Sequence, residues 1–568
     1  MSLRTLYDEA SLWMTPSGYE DGKLFSELPT DGSGDFTFSR GSNLAATRVG
    51  PTGLIEKGRE NLIPQSNQFD TTWVAANGAT ISSGEVGYDG TNDAWLLTKS
   101  TNNFSNINQS VSASGVNTYS VYAKGTSTNF CLRDNVSGTR LEVDLNDGSI
   151  ALQQSGIIVA NVQDVGSGWY RVSATFNEVL SVVQIYPKFN SADVVSVTIQ
   201  DAQLEIGLAA TDYIESGATT GKAGLLENEP RLDYSGGATC PSLLLEPQRT
   251  NLFTQSEYFS SYWVSNGGTR THNQSTSPDG GQNATEFLFN SFASGVYTPA
   301  FAAGTYTMSI FIKPISGDGL IRLGMGLDNS QLNTSTLAIT NQGTGNGSLI
   351  DYGNGWYRFI TTITTSTSTS ANIYNLNNNE VRVYIYGAQI EQASYQTSYI
   401  PTHGSSVTRN FDNATTTSEE DVLTSGEGIV FMEFEINDTT ITGYPEVIRI
   451  ENPSDTTDKF WFYIFDDSDA GEIRFGYRLD DTAVKKVEGS VTLDAMTTAK
   501  VAMRLENNNY ALYYNGTKQT PTQYAGVVSN LRKITTRGRE HFNGLRVKQF
   551  AIFNEALSDS ELATLTTL

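Results

Sequence analysis

Residues 61–205 and 251–391 are two copies of one module, and the copying limits the chain more than any single motif. Asn61-Leu62-Ile63-Pro64-Gln65-Ser66 aligns with Asn251-Leu252-Phe253-Thr254-Gln255-Ser256, and Trp73-Val74 with Trp263-Val264. Further on, Gly168-Trp169-Tyr170-Arg171 meets Gly355-Trp356-Tyr357-Arg358, and Ala202-Gln203-Leu204-Glu205 meets Ala388-Gln389-Ile390-Glu391. The offset drifts by only four residues from Asn61/Asn251 to Ala202/Ala388, so small loop changes separate the copies. Each copy must therefore close its own core. Duplication suits a binder that gains from multivalency better than an enzyme built around one centre.

Period-2 alternation runs through both copies, as in Val172-Ser173-Ala174-Thr175-Phe176 and Val381-Arg382-Val383-Tyr384-Ile385. Short strands punctuated by Gly, Asn and Ser predict antiparallel sandwiches. Charged residues make up only 17% of the 568, which fits all-β domains whose polar faces carry hydroxyls and amides. The expected fold class is all-β and multidomain. It begins with a lead-in over 1–57, then a jelly roll over 58–215, a connector over 216–247 and the repeated jelly roll over 248–412. A separate sandwich over 413–568 follows, where Phe460-Trp461-Phe462-Tyr463 and Gln549-Phe550-Ala551-Ile552-Phe553 read as strands. Asn515-Gly516 predicts a tight hairpin there, and Ser558-Asp559-Ser560-Glu561 a capped final helix.

A net charge of −25 argues against a nucleic-acid partner, which would call for a basic footprint. No apolar run is long enough to span a bilayer, so no membrane insertion is expected. Cys131 and Cys240 are too few and too far apart for a disulfide scaffold. The segment from Met1 to Glu9 lacks a signal peptide's apolar core, which predicts synthesis in a cytoplasm without Sec export. Leu3, Leu6, Tyr7, Ala10 and Trp13 recur at helical spacing. So short a helix needs a partner for its stripe, either its own first domain or an anchoring or trimerisation contact.

Several phrases resemble those of bacteriophage head-spike, head-fibre and tail-fibre proteins. They are Leu12-Trp13-Met14-Thr15-Pro16-Ser17-Gly18-Tyr19, Gly53-Leu54-Ile55-Glu56, Leu244-Leu245-Glu246-Pro247-Gln248-Arg249-Thr250-Asn251-Leu252, and Gly387-Ala388-Gln389-Ile390-Glu391 with Ser398-Tyr399-Ile400-Pro401-Thr402. The ending Phe550-Ala551-Ile552-Phe553-Asn554-Glu555-Ala556-Leu557 is similar to the close of concanavalin A-like, laminin-G-type sandwiches. The resemblance implies carbohydrate-binding-like jelly rolls, a place on the capsid or tail surface of a virion, and homotrimerisation. It further implies binding of host-surface polysaccharide, with the N-terminal residues Leu3, Leu6, Tyr7 and Trp13 attaching the chain to other virion proteins. A virion-associated depolymerase and a purely structural connector or decoration protein are the other readings.

Catalytic motifs are sparse. His272, His403 and His541 form no zinc-ligand pair, and no C-x-x-C occurs. Glu433 and Glu435 flank Phe434, as the paired carboxylates of a glycosidase might lie on one sheet face, or as any half-exposed strand alternates. The expectation is therefore a chain that is not an enzyme. Trp73 and Trp263 occupy equivalent, polar-flanked positions that suit either stacking on a sugar or core packing. Trp169 and Trp356 read as core. Arg537 and Arg539, in a basic run from Arg532 to Lys548, offer contacts to an anionic glycan or to an acidic neighbour. The turn carrying Asp466, Asp467, Asp469 and Glu472 has the oxygen ligands a Ca²⁺ ion takes, and equally those of a solvated hairpin.

Overall fold

The structure is a computed structural model of the chain. It describes residues 3–41, 44–417, 423, 428–436, 446–454, 459–467, 472–479, 485–491, 498–506, 511–519, 532–538 and 544–568. Strand accounts for 53% of it and helix for 3%, which makes it the all-β, multidomain sandwich protein that the alternation predicts.

The first copy closes as two six-stranded antiparallel sheets. One runs Ile157–Gly166, Trp169–Asn177, Val116–Gly125, Ser196–Ile206, Ala94–Thr98, Thr80–Glu85. The other runs Ser149–Gln153, Arg140–Asp144, Phe130–Asp134, Leu180–Tyr186, Asn106–Ala113, Val74–Ala76. The second copy repeats both strand orders, with Gly304–Ser316, Tyr357–Thr365 and Val381–Glu391 central in one sheet and Leu320–Met325 and Thr369–Asn375 central in the other. Val121, Phe130, Leu132, Ile185 and Ile199 fill the first core, and Ile310, Ile321, Leu323, Ile373 and Ile385 the second. Each such side chain contributes about 1.5–3 kcal/mol on burial.

The lead-in and the connector both supply strands to the C-terminal sandwich. Leu12–Met14 pairs with Phe550–Ile552, and Ser242–Leu245 with Leu545–Val547, in one sheet of the C-terminal sandwich. Phe36–Ser39 and Asn413–Thr417 join the opposite sheet, where Asn413–Thr417 pairs with Lys533–Arg537. The two jelly rolls are thus inserted between strands of one sandwich assembled from residues far apart in sequence. Strand edges demand partners, and nothing in a three-residue strand announces where its partner lies. Two local expectations hold. Asn515 and Gly516 adopt positive φ between Tyr514 and Thr517, and the final helix, Asp559–Thr566, starts with a capping box of Ser558 and Glu561.

A buried ionic hub joins the three passes of the chain. Arg231 pairs with Glu246 at 2.6 Å and with Asp412, Arg409 pairs with Glu246 at 2.8 Å, and Arg40 pairs with Asp412 at 3.2 Å. Burial alone would raise the pKa of Glu246, but Arg409 and Arg231 outweigh it and hold the carboxyl well below its ordinary 4.5. A second buried pairing ties the lead-in to module 2, where Lys57 Nζ meets Glu257 at 2.9 Å and Asp279 at 2.7 Å. Module 1 meets module 2 so closely at Gly115 (φ 80°) that a Cβ there would stand 2.2 Å from the carbonyl oxygen of His403.

These pairings set an acid limit. Lys57 likewise overcomes burial to hold Asp279 well below its ordinary 3.8. A carboxylate depressed in the folded state stabilises fully above its unfolded pKa, and its contribution fades as pH falls. The stability these pairings supply is therefore expected to be constant from pH 7 to 5 and to drop steeply below pH 4. Asp201 in module 1 has the opposite sign: burial, then Asp93 and Asp89, push it up to about 7. Asp201→Asn is expected to raise melting modestly at pH 5 and more at pH 8, with Asn tolerating the positive φ of 55° found there.

Candidate functional site

The outer face of the second sheet of module 1 carries the best-built polar site. In its strands Phe130, Leu132, Leu141, Val143, Val183 and Ile185 point to the core, so Cys131, Arg133, Arg140, Glu142, Gln184 and Tyr186 point away from it. Outward residues are normally wet, yet Cys131, Glu142, Gln184 and Tyr186 are buried, which makes this face a sheltered one. Arg133 Nη1 donates to Gln184 Oε1 at 2.5 Å, and the hydroxyl of Tyr186 donates to the same oxygen at 3.1 Å. Arg140 donates through Nε to Glu142 at 2.6 Å, and Asn129 donates to the other Glu142 oxygen at 2.7 Å.

Two loops supply an aromatic lip to this face. Phe189 contacts Tyr186 and Phe104 edge to face at centroid distances of 5.0 and 5.6 Å, and the Arg140 guanidinium lies 4.4 Å from the Phe189 ring centre. Phe104 is 45% exposed, a large apolar ring held open against Phe189. Both loops are pinned by Lys99, a fully buried lysine. Its ammonium donates to the carbonyls of Ser100, Asn102 and Ser191 at 2.9, 2.7 and 2.6 Å. The arrangement suits a ligand with an apolar face and many hydroxyls: the ring stacks on the former, and planar donors bind the latter.

The matching face of module 2 differs. Gln331 donates to Asn329 at 3.0 Å, Tyr297 and Tyr374 flank Asn372, and the buried Asn372 Oδ1 has no partner. This face also carries one arginine, Arg322, which lies opposite Tyr374 and donates to the carbonyl of Gly326, where module 1 presents Arg133 and Arg140.

The residues singled out from sequence fall elsewhere. Trp73 and Trp263 are corrected from sugar platforms to core: they are 5% and 2% exposed, pack on Phe69 and Phe259, and donate their indole N–H to the carbonyls of Gln65 and Gln255. The basic run divides between the two C-terminal sheets, Lys533–Arg537 in one and Leu545–Phe553 in the other. Lys533 pairs with Glu451 at 3.0 Å, Arg546 with Asp233 at 3.2 Å, and Lys548 with Glu435, so much of the positive charge is neutralised within the chain. Arg537 lies opposite Asn413, while Arg539 is outside the described residues. Asp466 lies in the hairpin in which Asp467 faces Glu472, and Asp469 in its turn is outside the described residues.

Glu433 and Glu435 do not form a free carboxylate pair. Glu433 lies 3.7 Å from Lys500, and Glu435 accepts from Lys548 and, at 2.8 Å, from Thr498. The N-terminal stripe is likewise used inside the chain. Leu6 and Trp13 are buried with Phe431, Tyr513, Phe553 and Leu562, and Tyr7 stacks edge-on against Trp13 at 5.3 Å. Leu3 opens that short helix. What the sequence reading passed over is Phe104 and Phe189. Their signal was an aromatic set in a polar turn, Asn102-Asn103-Phe104-Ser105 and Lys188-Phe189-Asn190, where no strand alternation calls for a core residue.

No protein-family model and no curated protein matches the sequence. Among solved structures, the chain is similar to the CBM40 module of the Ruminococcus gnavus IT-sialidase bound to α2,3-sialyllactose, at 15% identity over 25% of this chain and 83% of that one, with a TM-score of 0.21. It is also similar to the CBM22-1–CBM22-2 tandem domain of Paenibacillus barcinonensis Xyn10C, at 12% identity over 66% of this chain and 99% of that one, with a TM-score of 0.20. A third is the heptameric SAP-like pentraxin of Limulus polyphemus, at 13% identity over 25% of this chain and 70% of that one, with a TM-score of 0.21.

Proposed function

We propose that this chain is a non-catalytic glycan-binding protein, displayed as a spike or fibre on a tailed bacteriophage, with the outer face of module 1 as its principal sugar contact. The observation that carries the reading is the sheltered face on which Phe104 stands open against Phe189, whose ring the Arg140 guanidinium approaches, with Arg133 and Gln184 on the same face. The virion setting rests on the appendage-like phrases of the sequence, and homotrimerisation belongs to the same reading. Weak single-module binding would then gain avidity from two modules per chain and many chains per particle.

A glycan array and whole-cell binding screen of the purified protein, with reducing-end release followed in parallel, tests this. Selective binding without release is expected, and Phe104→Ala is expected to weaken it about tenfold, since one aromatic stack contributes on the order of 1–1.5 kcal/mol. Because Phe104 is exposed, that variant should melt like the parent. Release of sugar would overturn the non-catalytic reading, and binding unaffected by Phe104→Ala would move the site off this face.

A further inference from the structure

A cavity of about 390 Å³ lies where the lead-in, module 1 and module 2 meet, and none of the residues of the outer face of module 1 lines it. Leu62, Ile206 and Leu208 give it an apolar wall on the module 1 side, and Pro401 and Val407 another on the module 2 side. Its polar lining is acceptor-rich. Five carboxylate side chains face it against three cationic ones. One of those cations, Lys57, is already held between Glu257 and Asp279.

Asn283 shows which way the lining leans. Its Nδ2 sits 3.5 Å from Glu257 Oε2 and 3.3 Å from Asp279 Oδ2, so the amide must turn its nitrogen toward those carboxylates. The oxygen is thereby left without a donor, on a side chain only 6% exposed that borders the cavity. A buried acceptor left unmatched is destabilising, and a ligand donor placed there recovers the loss.

We propose that this cavity is a second ligand site and that it takes a small sugar bearing a free amine. The volume lies in the range of small-molecule sites, the apolar walls suit the C–H face of a pyranose ring, and the acceptors suit its hydroxyls and ammonium. An anionic sugar meets an excess of carboxylates and is disfavoured. Because the walls come from both modules, an occupant joins them and raises their melting together. The site is independent of the glycan contact on module 1.

The test is titration calorimetry and thermal melting of the full chain with glucosamine, glucose and glucuronate. Expected is one glucosamine site per chain, at least about tenfold tighter than any for glucuronate, with a concentration-dependent rise in melting temperature. Ala209→Trp, which fills the cavity from its wall, is expected to abolish binding. Asn283→Leu is expected to weaken it about tenfold. Phe104→Ala is expected to leave it unchanged, which separates this site from the outer face. No saturable glucosamine binding, equal affinity for glucuronate, or loss on Phe104→Ala with retention in a cooperatively melting Asn283→Leu would each overturn the proposal.

Discussion

Asp412→Ala is expected to lower the stability of the C-terminal sandwich by about 3–5 kcal/mol, a drop of roughly 10 °C or more in its melting transition. Asp412 is fully buried and serves two cations, accepting from Arg40 at 3.2 Å and from Arg231. It also accepts from the backbone N–H of Glu246 at 2.8 Å. Removing it strands Arg40 without a carboxylate and leaves Arg231 with Glu246 alone. The penalty lies in the uncompensated charge more than in the lost attraction, so Arg40→Met combined with Asp412→Ala should be less destabilised than the sum of the two single variants. Scanning calorimetry of the four proteins measures the coupling. A cost below about 1 kcal/mol for Asp412→Ala would mean that the hub is not what joins the lead-in and connector to the sandwich.

The ion pairs of that hub were not legible in the sequence. Arg48 and Glu56 in the lead-in pair at 2.7 Å as Arg231 and Glu246 pair in the connector, so the duplication reaches into the hairpins that precede each module. The copied phrases begin only at Asn61 and Asn251, so reading the repeats alone misses this extension. The pairing of Ser11 and Leu12 with Ile552 could not be read that way. Sheet ladders are made by backbone groups that every residue carries, and the alternation of a three-residue strand holds no information about a partner more than five hundred residues away. Charge runs misled for a related reason. Arg546 and Lys548 belong to the same basic run as Lys533, but the two strands that carry them lie in different sheets and each cation finds a carboxylate of its own. The tryptophans were ambiguous because an indole serves both roles. Only the burial of Trp73 and Trp263, each with its N–H on a carbonyl, decides for the core.

Lys99→Met tests whether the aromatic lip of module 1 is built or incidental. The ammonium sits among three carbonyls from two loops, Ser100 and Asn102 on the Phe104 loop and Ser191 on the Phe189 loop. Burial lowers the pKa of this lysine, and its side chain holds the loops by donation alone. Methionine matches the stem in length and keeps the packing, but it leaves three carbonyls unmet, at a cost on the order of 3 kcal/mol. Module 1 is then expected to melt roughly 6–12 °C lower. Glycan binding should weaken by more than Phe104→Ala alone weakens it, because both rings lose their support at once. Lys99→Arg keeps the charge but not the geometry, and should fall between. If Lys99→Met lowers melting while binding stays at the parental level, the loops do not position the ligand, and the sugar must sit on the strand residues Arg133, Arg140 and Gln184 alone.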